Sequence, residues 1–264
     1  NEKISDYIIN YLENLEYLDG IIEVNISKNL DLSINLDKII IEVDRNYIKK
    51  GKYASFVPYK SEYDIKGSSL YFIIDPENIT LGLINHEIFH GFDWIKNKGK
   101  HLISNKELSL INLYEYYTGK NKKVENIINI FYTVSDFELR SNFNESVYEI
   151  KSYIRENNLN KKEIISLIKD CDYYLEYENI RHLNIVNLFN ELNREEINEL
   201  LSVYNAMLFL KDGEETDIEI KEYSKSEYKE FMDYFSNLFK VQINKYRNYV
   251  EKLFSIIGNI FNYI

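Results

Sequence analysis

The stretch Leu83-Ile84-Asn85-His86-Glu87-Ile88-Phe89-His90-Gly91-Phe92-Asp93-Trp94 constrains this chain more than any other. A helix repeats about every 3.6 residues, so His86 and His90, four apart, stand one above the other on one face. Two imidazoles so spaced can bind a single Zn²⁺, and His-Glu-x-x-His on a helix is the pattern that does so. Glu87, beside the first histidine, is placed to reach a water on the metal without ligating the metal itself.

The flanks support a helix here. Ser69-Leu70-Tyr71-Phe72-Ile73-Ile74 is the strongest strand signal in the chain. Asp75-Pro76-Glu77 then supplies an N-cap acid, a proline at the first helical position and an acid in the first turn. This predicts a helix from near Pro76, with Ile79, Leu83, Ile84, Ile88, Phe92 and Ile95 on its buried side. Upstream, Ile4, Ile8, Tyr11, Leu12, Leu15 and Leu18 predict a helix over 3–18, closed by Asp19-Gly20. Ile22, Val24 and Ile26 alternate as a strand, Ile39–Val43 forms a second, and Tyr53–Val57 a weaker third before Pro58. Beyond Gly99 the periodicity is helical over 105–117, 122–157, 161–177, 192–211 and 225–262. Asp212-Gly213 breaks the pattern, and Ile218–Ile220 reads as a short strand or hairpin edge.

The remaining composition excludes more than it assigns. With 264 residues the chain can bury a full core, and two prolines and nine glycines leave room for long helices. A net charge of −11, with no Lys/Arg run longer than two, argues against nucleic-acid binding. The lone Cys171 forms no internal disulfide and no Cys-x-x-Cys knuckle. No apolar run approaches the ~20 residues of a membrane span. Asn1–Asp6 has no signal-peptide character and does not start with Met. A soluble protein is expected, either cytoplasmic or exported and processed. No Gly-x-Ser-x-Gly elbow or Walker loop occurs.

A catalytic zinc takes three protein ligands, so a third must be found. Asp93 follows His90 by one turn, but a straight helix curves away from a metal seated between its first two ligands. Asp93 suits an orienting role behind an imidazole better. His101 would serve after a sharp turn. The metzincin pattern requires Gly and His where this chain has Asp93 and Lys96, so that arrangement is excluded. Glu138, in Ser135-Asp136-Phe137-Glu138-Leu139-Arg140-Ser141-Asn142, lies on a later helix, with Asn142 one turn on and Glu145 as the reserve choice.

His86-Glu87-Ile88-Phe89-His90-Gly91-Phe92-Asp93 resembles the His-Glu-x-x-His-Gly-Phe-Asp signature of neprilysin-like metallopeptidases. Glu138-Leu139-Arg140-Ser141-Asn142 is similar to the gluzincin pattern Glu-x-x-x-Asp, with Asn in place of the final acid. The resemblance covers about a dozen residues and this second, looser segment. It implies a zinc metallopeptidase acting on peptide or protein substrates. His86, His90 and Glu138 would be ligands, Glu87 the general base, and Asn142 an orienting group. His182, beside Arg181, is a candidate donor to the transition-state oxyanion, as is any of the tyrosines. The implied fold is α+β. A zincin-like catalytic lobe over 1–157, with a small mixed sheet, precedes a mainly helical lobe over 158–264, and the cleft lies between them. The competing expectation is a non-catalytic interaction or structural protein that retains a zincin scaffold.

Overall fold

β-Branched and aromatic residues at alternating positions build one small sheet. The computed structural model describes residues 2–14, 19–26, 36–46, 54–57, 69–77, 79–96, 105–208 and 218–261. The described residues form a mixed α+β structure, mostly helical with one small four-stranded sheet. The strands are β1 (Gly20–Asn25), β2 (Lys38–Val43), β3 (Ala54–Phe56) and β4 (Ser69–Ile74), in the order β1-β2-β4-β3. β1 is antiparallel to β2, β2 parallel to β4, and β3 antiparallel to β4. The two central strands are near-continuous apolar runs and are buried along most of their length. That is how parallel strands covered on both faces read in sequence.

Ile39, Ile41 and Val43 of β2 and Leu70, Phe72 and Ile74 of β4 form one core with two helices. Ile4, Ile8 and Leu12 come from α1 (Glu2–Glu13), and Ile84, Ile88 and Phe92 from α2 (Leu81–Lys96). The four strands lie where the sequence places them. The start of α2 does not. Asp75 Oδ1 accepts the Glu77 N–H at 3.0 Å, but this turn is not continued into a helix. Thr80 caps α2 instead, its Oγ1 accepting the Leu83 N–H at 3.1 Å and its carbonyl the Ile84 N–H at 3.1 Å. Leu15, Leu18, Tyr53, Gly99, His101 and the Asp212-Gly213 break lie outside the described residues.

The remaining helices are α3 (Asn105–Tyr117), α4 (Lys122–Thr133), α5 (Asp136–Glu156), α6 (Lys161–Asp170), α7 (Asp172–Ile180), α8 (Ile185–Asn190), α9 (Arg194–Met207) and α10 (Lys225–Phe261). The helix expected over 122–157 is therefore two, because the chain turns at Val134-Ser135 and restarts. The Ser135 carbonyl accepts the Leu139 N–H at 2.9 Å, the first turn of α5. The segment 161–177 divides likewise at Cys171, whose carbonyl opens α7. Residues 218–224 form no strand. Side chains of α9 take donors that a neighbouring strand would have taken: Ser202 Oγ accepts the Lys221 N–H at 2.9 Å, and Asn198 Oδ1 the Tyr223 N–H at 3.2 Å.

The chain packs as two compact units, one of residues 1–102, 141–167 and 256–264, the other of 103–140 and 168–255. The first holds the sheet, α1 and α2. The second is built on aromatic packing. Phe131 meets Phe235 edge-on at 4.8 Å, and Phe189, Tyr204 and Phe231 close around Phe235. α5 is one unbroken helix whose residues 136–140 belong to the second unit and the rest to the first. No helix among the described residues is long and apolar enough to cross a membrane.

Candidate metal centre

α2 has no solvent face for most of its length. Ile84, Ile88 and Phe92 face the sheet core, while His86 and His90 are also buried, at 8% and 5% exposure. A helix buried all round needs a second partner, and here it is α5. Nδ1 of His90 lies 3.0 Å from Ser141 Oγ, and Nδ1 of His86 lies 3.1 Å from Glu145 Oε2. Asn85 Nδ2 donates to the Asn144 carbonyl at 3.3 Å. One turn earlier, Gly82 faces Glu149 so closely that a Cβ there would lie 2.1 Å from its Oε1. The pairs 82/149, 86/145 and 90/141 run in opposite directions at four-residue steps, so α2 and α5 are antiparallel and matched turn for turn. Gly91 does the equivalent on the sheet side. A Cβ there would lie 2.8 Å from both Leu70 methyls.

A carboxylate only accepts, so Glu145 favours the Nδ1–H form of His86, and the Ser141 hydroxyl can accept from the same form of His90. When each Nδ1–H donates outward to the serine hydroxyl or the carboxylate, each Nε2 presents a lone pair. The two Nε2 atoms lie 3.0 Å apart and the rings meet nearly edge-on, at 81°. Two lone pairs aimed at one point repel unless a cation or proton lies between them. Glu138 adds a buried carboxylate at 6% exposure. Ligand atoms of His86, His90 and Glu138 all lie within 4.8 Å of one another. Tetrahedral Zn²⁺ with bonds of about 2.0–2.1 Å sets its ligand atoms about 3.3 Å apart. The two Nε2 atoms lie near that spacing, and the donor set of two imidazoles and a carboxylate could hold a metal ion.

Glu138 has a bland alternative, since Ser135-x-x-Glu138 is also the pattern of a capping box. In such a box the glutamate reaches back to the serine N–H. Here the Ser135 N–H is already bonded to the Tyr132 carbonyl at 3.0 Å, and Ser135 Oγ accepts the Glu138 N–H at 3.4 Å. The backbone is thus capped without the carboxylate. α7 lies within electrostatic reach of Glu138. Burial raises the Glu176 carboxyl above its ordinary pKa, the Tyr246 hydroxyl works against this, and the charge of Glu138 adds to it.

Glu87 is buried beside His86. Its Oε2 accepts the Phe56 N–H of edge strand β3 at 2.5 Å, and the residue also lines a small apolar cavity with Ile8, Ala54, Phe72 and Ile88. Asp93 and Asn142, the expected orienting groups, are half-buried on α2 and α5. Ser141 and Glu145 make contacts to the imidazole Nδ1 atoms. The sequence offers Glu145 as the reserve ligand, and Ser141 by itself carries no comparable signal. A polar stripe at Glu138, Ser141 and Glu145, spaced by three and four residues, is the signal that marks them together. His182 is exposed in the turn between α7 and α8 and is not one of the three clustered donors.

No protein-family model matches the chain, and no curated protein or solved structure matches it either.

Proposed function

We propose that this chain is a zinc-dependent endopeptidase of gluzincin-like type, its mixed sheet and α2 forming a zincin-like catalytic lobe. The observation that carries the reading is the buried convergence of His86 and His90, from the His-Glu-x-x-His of α2, with Glu138 of α5. These three residues would hold a zinc ion, which when bound would supply Lewis-acid activation of a water and of the scissile carbonyl. Ser141 and Glu145 hold the imidazoles in the ligating tautomer. Glu87, with one oxygen fixed by the Phe56 N–H, uses the other as general base. It accepts a proton as water adds to the carbonyl carbon, then gives that proton to the amine as the C–N bond breaks.

Metal analysis of the purified chain, with cleavage of a diverse peptide library, tests this. About one zinc per chain is expected, and Glu87→Gln should keep the metal while lowering hydrolysis by roughly 10²–10⁴-fold. Absence of bound metal, with no shift of melting temperature on adding Zn²⁺, would refute the proposal. Bound zinc without cleavage of any peptide would favour the non-catalytic reading.

A further inference from the structure

The first turn of a helix is where fraying begins, because its N–H groups lack intrahelical partners. Glu138 sits in that turn of α5, a weak place for a metal ligand unless something else holds it. Two side chains of the second unit do so on either side of it. Lys245 Nζ, from α10, lies 2.8 and 2.6 Å from the two carboxylate oxygens of Asp136. The buried Tyr173, from α7, donates its hydroxyl to the Leu139 carbonyl at 3.3 Å. Tyr173 is held in turn by Tyr246, whose hydroxyl donates to the Tyr173 carbonyl at 2.8 Å with the two rings 4.7 Å apart. We infer that Lys245 and Tyr173 are positioning residues for Glu138, clamping residues 136 and 139 and so setting where its carboxylate points.

Exposure separates this role from simple stability. Lys245 and Asp136 have side chains 42% and 41% exposed, and ion pairs so open to water contribute little to folding. A ligand carboxylate, by contrast, must be held to about 0.5 Å. The pair therefore matters to the site far more than to the fold.

The inference rests on the metal-site reading above, and the test keeps the two apart. The full-length protein, Lys245→Met, Lys245→Arg and Tyr173→Phe are titrated with Zn²⁺ in competition with a chelator. Each is also loaded with Co²⁺, whose visible absorption reports ligand geometry. Lys245→Met and Tyr173→Phe should weaken Zn²⁺ binding roughly 10-fold and alter the Co²⁺ spectrum. Lys245→Met should do so at an unchanged melting temperature of the metal-free protein, and Lys245→Arg should restore the original spectrum. If the unsubstituted protein binds neither ion, the metal-site reading fails and this inference with it. If it binds both and the variants match it in affinity and spectrum, the inference alone is overturned. Loss of melting temperature with an unchanged spectrum would likewise overturn it, leaving a structural tie.

Discussion

Each imidazole of the centre is gripped from behind by a side chain of α5, and the two grips differ in kind. Glu145 offers His86 a charged acceptor at 3.1 Å, whereas Ser141 offers His90 a neutral hydroxyl at 3.0 Å. A carboxylate stabilises the developing positive charge on a ligating imidazole more than a hydroxyl does. Glu145→Ala should therefore cost more Zn²⁺ affinity than Ser141→Ala. Losses of about 100-fold and about 10-fold are expected by competition with a chromogenic chelator. Equal losses would show that the two groups act only as spacers. The Glu87 tie to Phe56 bears on how the base is tested. Glutamine keeps a carbonyl acceptor for that N–H, whereas alanine strips edge strand β3 of the bond and confounds activity with packing.

Among the elements, two glycines on helices show how packing decides the sign of one substitution. Gly→Ala inside a helix gains up to about 1 kcal/mol of propensity. At Gly258 nothing lies within 4 Å of the added carbon, so Gly258→Ala should raise stability by that order. At Gly91 the carbon would meet both methyls of fully buried Leu70, and overpacking costs about 1–3 kcal/mol. Gly91→Ala should be destabilising by about 1 kcal/mol net, and urea unfolding of the two variants checks the opposite signs. This contact explains part of what the sequence could and could not reveal. Strand β4 and the burial of Ile84, Ile88 and Phe92 were legible because period-2 and period-3.6 patterns are local. The start of α2 was not, since Asp75 makes its predicted hydrogen bond yet Thr80 makes the cap that continues. Glu138 was legible as an acid on an apolar helix face. Ser141 was not, because a serine in a helix is compositionally ordinary and its meaning comes from α2, which only tertiary packing brings to it.

For the whole molecule, a metal held at the proposed site would act as a folding ligand. A ligand present at 100 times its Kd stabilises the folded state by about 2.7 kcal/mol, and each kcal/mol moves the melting temperature of a chain this size by about 2–4 °C. Chelation should therefore lower the melting temperature by roughly 5–10 °C, reversed by Zn²⁺ but not by Mg²⁺, which prefers oxygen ligands. Calorimetry with and without chelator measures this, and a shift below 1 °C would be incompatible with a tight site. The pairing of α2 with α5 has a further consequence. Its three steps carry unlike partners: a glycine under a carboxylate, an imidazole against a carboxylate, and an imidazole against a hydroxyl. The two helices thus behave as a key and lock with three differently cut teeth. A slip of one turn in one direction would bring the Glu149 carboxylate against His86, which has a Cβ, and a slip in the other would carry His90 past Ser141 and leave it without that acceptor. Gly82, eight residues before the second histidine, thus leaves room for the Glu149 carboxylate in the register that sets both imidazoles against their acceptors.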